Sequence, residues 1–246
     1  MSRGNAWAAM GAAIGLLGIG VVPDRGAAQV MDNHTYSLVL FDQLEYRRTG
    51  EGNPVGWDMI GWIGGDFIRF WVKGEGEQST AGGGGHAEIQ ALYSRLVAPF
   101  WELQAGLRVD GRYGPGADHA RVLAVLGVEG LAPYWFEVEP ALFVSQDGDI
   151  SARLSSTYEL FVSQRLILQP RLEVNLAAQS VPDFGVGSGL SDLGLGFRLR
   201  YEIRREWAPY LGVRWSRRFG ETADLARQAG EKVGATSLVG GLRVWF

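Results

Sequence analysis

Apolar and polar residues alternate one by one between positions 190 and 215. In the first half the apolar positions are Leu193, Leu195, Phe197, Leu199, Tyr201 and Ile203, and the positions between them are small or charged. After Arg205 and Glu206 the alternation resumes from Trp207 to Trp215. A period of two residues predicts β-strands, so this segment is a hairpin with one apolar face.

The other face of this hairpin carries Arg198, Arg200, Glu202 and Arg204. Inside a soluble barrel each of these charges would need a buried partner to offset a large desolvation cost. In an outer-membrane barrel the apolar face contacts lipid and the polar face lines a wet lumen. The pattern therefore favours a membrane barrel.

The same alternation along the rest of the chain predicts about twelve strands, most of them close to the roughly 9–11 residues that a tilted membrane strand needs. They span 36–48, 56–64, 66–78, 86–97, 100–112, 121–131, 134–145, 150–163, 165–178, 190–204, 207–219 and 236–246. The predicted fold class is therefore all-β: a closed antiparallel transmembrane β-barrel of about 12 strands with meander topology.

The connections between these strands form two classes. Those after odd-numbered strands are mostly long and polar or glycine-rich, although 146–149 is short, and those after even-numbered strands are tight. Aromatic residues beside Pro99, Pro133 and Pro209 lie near the tight turns, which is typical of an interfacial girdle. Long loops outside and short periplasmic turns are the arrangement of outer-membrane barrels.

Composition agrees with a single barrel. Of 246 residues, 36 are glycine and 9 are tryptophan, and beyond position 30 no apolar run approaches the roughly 18 residues of a transmembrane helix. A net charge of −4 leaves no basic footprint, so nucleic acid is not an expected partner. The lack of cysteine excludes disulfides and thiolate metal sites.

The first residues read as a secretory signal peptide, 1–28. Arg3 supplies the positive end, 7–22 an apolar core, and Gly26, Ala27 and Ala28 a small-residue cleavage site. A single N-terminal membrane anchor is the alternative. A short periplasmic leader, 29–35, would then precede the barrel, 36–246.

Long stretches of the chain resemble one known family. They are FDQLEYR, GWIGGDFIRFWVKGEGE, ALYSRLVAPFWELQAGLR, GLAPYWFEVE, SQRLILQPRLE, GSGLSDLGLGFRLRYEIRREWAPYLGVRW and GLRVWF. The chain is identified by them as a member of the copper resistance protein B family. The resemblance implies a barrel in the outer membrane of a Gram-negative bacterium that handles copper ions with periplasmic proteins of the same resistance system. Such proteins often carry a long Met- and His-rich N-terminal segment, whereas here the predicted leader 29–35 offers only Met31, Asp32, Asn33 and His34.

Candidate copper ligands are few. Copper(I) prefers thioether and imidazole, and copper(II) prefers imidazole and carboxylate oxygen. Met31, Asp32 and His34 lie together in the leader, which is either a copper site or an unstructured segment that binds nothing tightly. His86 is expected on the luminal face, where it either joins Glu75 or Glu77 at a metal or remains a solvated rim histidine.

Charges of both signs are predicted to line the lumen. They include Glu45, Arg47, Asp66, Arg69, Lys73, Glu88, Arg108, Arg153, Arg171, Arg198, Arg200 and Glu202. Such charges either pair across the lumen and leave a narrow wet passage, or provide a cation path along Glu45, Asp66, Glu75 and Glu77.

The first functional hypothesis is an outer-membrane copper-resistance protein that binds copper ions or passes them across the membrane. The alternative is a passive or structural barrel whose charges plug it and which has no metal site of its own. An enzyme is not expected, because no histidine stands beside an evident nucleophile and the GVGSG stretch at 185–189 precedes a strand, not a helix. Expected partners are outer-membrane lipid, periplasmic copper-resistance proteins, and the barrel-insertion machinery through the terminal Phe246.

Overall fold

The computed structural model describes residues 34–49, 52–114 and 119–246. The predicted signal peptide and most of the leader, with Met31 and Asp32, lie outside the described residues. His34 and Thr35 directly precede the first strand.

Most of the described chain is β-strand. In chain order the elements are β1 Tyr36–Arg48, β2 Val55–Gly64, β3 Ile68–Gln78, β4 Gly85–Ala98, β5 Trp101–Tyr113, β6 His119–Ala132, β7 Phe136–Ser145, β8 Ile150–Thr157, β9 Leu160–Phe161, β10 Leu166–Ala177, β11 Gly189–Tyr201, β12 Trp207–Arg218, α1 Gly220–Gln228 and β13 Gly234–Trp245. The alternating segments of the sequence become these strands because each can place one face against lipid and the other in a lumen.

Except for β8 and β9, which both pair with β10, each strand pairs antiparallel with its neighbours in sequence, and β13 pairs with β1 to close the barrel. The short β9 continues the line of β8 along β10, so β8 and β9 together occupy one strand position and the barrel has twelve such positions. This confirms the closed meander barrel of about 12 strands. Long connections gather at one end of the barrel, the loop end, and tight ones at the other, the turn end.

The prediction of one continuous eighth strand over 150–163 is wrong. It breaks into β8 and β9 where Tyr158 faces Pro170 of β10. Tyr158 N donates to the Pro170 carbonyl at 3.1 Å, but Pro170 has no N–H to return a bond, so the ladder is interrupted there.

Two further predictions are corrected. The polar connection after β12 contains the helix α1 instead of being loop throughout. Asp66, predicted on the luminal face of a strand, lies exposed in the turn before β3. The Gly64–Gly65 pair ends β2 there, and β3 begins only at Ile68.

The outer surface of the barrel is apolar. Outward-facing side chains such as Leu107, Phe197 and Leu211 are exposed, whereas their inward neighbours Arg108 and Arg198 are buried. At the turn end the aromatic residues Phe100 and Tyr134 are strongly exposed, as the predicted girdle requires. None of the helices in the described part of the chain is both long and apolar enough to cross a lipid bilayer.

Part of the lumen is filled by an apolar cluster. Trp71, Leu92, Leu123, Val125 and Phe143, from β3, β4, β6 and β7, pack together and are buried.

Candidate functional site in the barrel lumen

The polar part of the lumen consists of two cavities. The outer cavity, at the loop end, has a volume of about 550 Å³, and the inner cavity, toward the turn end, has about 160 Å³. Ten Lys or Arg and seven Asp or Glu side chains line the outer cavity, whereas four and eight line the inner one. The walls of the inner cavity are therefore predominantly acidic.

His86 lines the outer cavity. It lies on β4 directly opposite Glu77 of β3, and the next inward pair along the same strands is Glu75 and Glu88. The register thus places His86 opposite one predicted carboxylate, Glu77, while Glu75 lies two residues further along β3. Glu77 is held by Arg47 and Glu75 by Arg153. No group of three or more His, Asp or Glu side chains arranged to hold a metal ion occurs within residues 34–49, 52–114 and 119–246.

An ion-pair layer, formed by Glu75, Glu88, Arg153, Asp58 and Arg171, separates the two cavities. Arg153 of β8 reaches β3 and β4, where Nη1 donates to Glu75 Oε1 at 2.8 Å and to Glu88 Oε1 at 2.9 Å. Its Nη2 donates to Glu88 Oε2 at 2.9 Å. Arg171 of β10 donates to Asp58 Oδ2 of β2 at 2.6 Å. These bonds join strands that are not neighbours, so they cross the lumen.

The ion-pair layer extends through two more side chains. Arg108 of β5 contacts Glu88 Oε2 at 2.6 Å and also pairs with Asp110. Asn175 of β10 accepts a hydrogen bond from Arg153 Nε at 3.0 Å. Glu88 therefore has two cationic partners, and Arg153 has an acceptor on the wall from which it extends.

Lys73 lines the inner cavity. Its Nζ donates to Glu129 Oε2 at 2.7 Å, to Glu139 Oε1 at 2.5 Å and to Gln104 Oε1 at 3.2 Å. The side chain of Lys73 is almost fully buried. The Lys73 ammonium group thus neutralises part of the negative charge of Glu129 and Glu139, while Glu137 adds a further carboxyl group to the same cavity.

Glu45 lies in a second network beside the outer cavity. Arg198 Nε donates to Glu45 Oε2 at 3.0 Å, Arg47 Nε donates to Oε1 at 2.7 Å, and Tyr210 Oη donates to Oε2 at 3.1 Å. The Glu45 side chain has no exposed area. This carboxylate is therefore part of the barrel framework and does not line either cavity.

The remaining predicted luminal residues lie nearer the turn end. Arg69 donates to Glu102 at 2.7 Å and stacks over Trp62. Arg200 donates to Glu159 at 2.8 Å and more weakly to Glu202, which follows β11. Neither cavity is lined by Arg69, Arg200, Glu202 or the exposed Asp66. The structure therefore does not bring Glu45, Asp66, Glu75 and Glu77 into one path.

Loops cover part of the loop end. Gly187 approaches α1 so closely that a Cβ would lie 2.3 Å from the Thr222 nitrogen. Ser188, through its backbone N–H at 3.0 Å and its hydroxyl at 2.9 Å, bonds Glu221 and lowers the pKa of that carboxyl. The loop after β10 is thereby tied to α1.

A second tie connects the segment after α1 to the barrel wall. Glu231 accepts hydrogen bonds from Arg112 of β5 at 3.0 Å and from Arg218 of β12 at 2.5 Å. Partial burial raises the pKa of Glu231, but the bonds and charges of Arg218 and Arg112 outweigh this effect, and the pKa is lowered.

Three acidic residues of the inner cavity were not predicted from the sequence: Asp42, Asp58 and Glu129. Asp42 lies where the register of β1 shifts against both neighbours, so a strict period of two assigns its face incorrectly. Asp58 belongs to the second strand, whose alternation is poor. A charge within an otherwise apolar strand is the signal that identifies it.

Among solved structures, the NanC porin has a similar fold. The similarity covers 85% of this chain and 99% of that chain with a TM-score of 0.53 and 10% sequence identity. At this identity the similarity concerns the barrel fold alone.

Sequence comparison is more specific. Residues 35–246 match the family model described as copper resistance protein B precursor. Copper resistance protein B of Escherichia coli is 46% identical over 88% of this chain and 72% of its own length. A copper resistance protein B homolog of Pseudomonas syringae pv. tomato is 42% identical over 92% of this chain and 75% of its own length.

The family match and the barrel together indicate the location of the protein. A closed barrel with an apolar outer surface and a family of this description place it in the outer membrane of a Gram-negative bacterium. The loop end is then extracellular and the turn end periplasmic. On the match of residues 35–246 and the identity to both relatives, the chain belongs to the copper resistance protein B family.

Proposed function

We propose that this protein contributes to copper resistance by passing copper ions through its lumen, with brief binding to carboxylates and imidazole on the way. Family membership supplies the copper role. The structural observation that supports passage is the series of acidic groups from Glu77 beside His86 in the outer cavity, through Glu75 and Glu88, to Glu129 and Glu139 in the inner cavity.

The pairing of these carboxylates favours exchange over retention. Glu75, Glu77, Glu88, Glu129 and Glu139 each bond an arginine or lysine. A copper ion has to compete with that cation for the oxygen atoms, which weakens its binding. Weak successive sites allow an ion to enter and also to leave, as conduction requires.

His86 is the proposed first ligand on this route. Its side chain lines the outer cavity, and imidazole is a ligand that suits both oxidation states of copper. Met31, Asp32 and His34 remain a proposed collecting site at the periplasmic mouth. Periplasmic copper-resistance proteins are the proposed partners at that mouth, and no enzymatic step is proposed.

The experiment uses purified protein in lipid vesicles with a copper-sensitive dye inside, tested separately with copper(I) and copper(II). We expect protein-dependent copper entry that falls in His86→Ala and stays at the wild-type rate in His119→Ala, because His119 contacts Phe184 at the loop end and lines neither cavity. Entry at the rate of protein-free vesicles would overturn the proposal.

Copper binding to the full chain tests the leader separately. If Met31, Asp32 and His34 collect the ion, replacing all three by alanine lowers the amount of copper bound at equilibrium. Equal binding by the two proteins would remove the leader from the route and leave the lumen as the place of contact.

The second candidate is a passive barrel held shut by its own charges. The cross-lumen bonds of Arg153 and Arg171 favour it, because they fill the space between the cavities. A purified barrel that neither conducts ions in a planar bilayer nor binds copper would support this candidate against the first.

A further inference from the structure

We infer that the ion-pair layer is the constriction of the lumen, and that Glu75 is the carboxylate on which a crossing copper ion replaces the Arg153 guanidinium. The inference rests on the proposed function, since it names the contact point on the proposed route. It assigns a cation site to Glu75, with Glu88 beside it.

The position of the layer is the first reason. Asp58, Glu75, Glu88, Phe143, Arg153 and Arg171 are the side chains that line both cavities. An ion that moves from one cavity to the other therefore has to pass between them. The Arg153 and Arg171 side chains bridge walls that are several strands apart, so they occupy that passage.

The second reason is the placement of two like charges. Glu75 and Glu88 are directly opposite each other on β3 and β4. Like charges in this position destabilise a sheet unless a cation lies between them. Arg153 supplies that cation with bonds of 2.8 and 2.9 Å. The same place suits a copper(II) ion, which also prefers carboxylate oxygen.

The third reason is that Glu75 and Glu88 differ in the number of their cationic partners. Glu88 keeps Arg108 at 2.6 Å if Arg153 withdraws. Glu75, by contrast, has one ion-pair partner within residues 34–49, 52–114 and 119–246, and that partner is Arg153. Withdrawal of Arg153 therefore frees Glu75 and leaves Glu88 neutralised, which makes Glu75 the stronger ligand for an incoming cation.

Arg153 also has a hydrogen-bond acceptor outside the two carboxylates. Its Nε already donates to Asn175 Oδ1 on β10 at 3.0 Å. The guanidinium can turn toward this wall without losing every acceptor, which lowers the cost of opening. The ion that arrives at Glu75 replaces the charge that leaves.

The experiment measures conductance in a planar bilayer for the wild type, Arg153→Gln, Arg171→Gln and Arg95→Gln. Arg95 is an exposed residue of β4 that lines neither cavity, so it controls for the loss of an arginine. We expect a several-fold rise for Arg153→Gln and Arg171→Gln and none for Arg95→Gln. Wild-type conductance in both luminal variants, folded as judged by circular dichroism and thermal unfolding, would overturn the inference.

The variant Glu75→Gln provides a second, independent test that does not require removal of an arginine. Copper(II) added to the bilayer should reduce the potassium current of the wild type, and this effect should fall several-fold in Glu75→Gln and less in Glu88→Gln. Equal sensitivity of wild type and Glu75→Gln would contradict the assignment of Glu75.

The outcomes separate the inference from the proposed function. If wild-type vesicles take up no copper while Arg153→Gln conducts, the proposed function fails and the constriction is supported. If the wild type passes copper while Arg153→Gln conducts no more than Arg95→Gln, the function is supported and the constriction fails.

Discussion

Arg198 of β11 and Glu45 of β1 form a buried ion pair, with Arg198 Nε 3.0 Å from Glu45 Oε2 and Arg198 Nη2 3.1 Å from Oε1. The two side chains are 4% and 0% exposed. Since β12 and β13 lie between these strands in the barrel, the pair connects the walls on both sides of the β13–β1 closure.

The first prediction concerns this pair. Glu45→Ala leaves the Arg198 charge buried without its carboxylate, and breaking a buried pair in this way costs about 3–5 kcal/mol. Asp224→Ala removes the partner of Arg227 in α1, where both side chains are more than half exposed, and should cost less than about 1 kcal/mol. Urea unfolding of the protein in lipid vesicles measures both free energies. Similar losses in the two variants would show that the luminal network does not stabilise the barrel.

Most of the fold follows from the alternation of side chains. The hairpin of β11 and β12 is predictable because Arg198 and Arg200 repeat against apolar neighbours over many residues, and the only environment that satisfies both faces is lipid outside and polar lumen inside. The break at Pro170 was not predicted, because it depends on which residue of β8 faces the proline, and register is a property of the assembled sheet.

The candidate site is less predictable. His86, Glu75 and Glu77 follow from the inward face of two adjacent strands, and the register places His86 opposite Glu77, with Glu75 two residues away on β3. The partnership of Arg153 with Glu75 and Glu88 does not follow, since β8 is distant from β3 and β4 in sequence and its contacts depend on how the barrel closes. The copper role rests on family membership, not on the spacing of any ligands.

The second prediction concerns Lys73. Lys73→Met removes the cation shared by Glu129 and Glu139, so the inner cavity becomes more acidic. We expect the permeability ratio of potassium to chloride, obtained from the reversal potential in a potassium chloride gradient, to rise. Lys73→Arg keeps the charge and should retain the wild-type ratio. An unchanged ratio in Lys73→Met would mean that the inner cavity does not lie on the ion path.

The third prediction concerns the effect of pH on the extracellular loop. The pKa of Glu231 is lowered in the folded protein, so its tie to Arg112 and Arg218 is fully present above the ordinary glutamate pKa of about 4.3. The tie is lost as the pH falls through the lowered value, because protonation removes the charge that both arginines contact.

A spin label reports this change directly, since the chain has no cysteine and Gln228→Cys provides one attachment point at the end of α1. We expect slow label motion at pH 7 and faster motion as the carboxyl becomes protonated. In a protein that also carries Glu231→Gln the motion should be fast at both pH values. A label that is equally slow in the two proteins at pH 7 would exclude Glu231 as the tie.

The fourth prediction concerns Phe246 and the assembly of the barrel. The Phe246 backbone closes β13 onto β1, with its N 2.8 Å from the Val39 carbonyl oxygen and its own carbonyl oxygen 3.1 Å from Val39 N, while the residue is 74% exposed. Phe246→Ala keeps the backbone bonds and removes the ring. If the insertion machinery recognises the ring, the variant should accumulate less in the outer membrane of cells yet refold in detergent with the yield of the wild type.

Leu211→Ala, which removes another strongly exposed outward side chain, is the control for lost lipid contact. Equal membrane levels of Phe246→Ala and Leu211→Ala would show that Phe246 acts only as a lipid-facing residue.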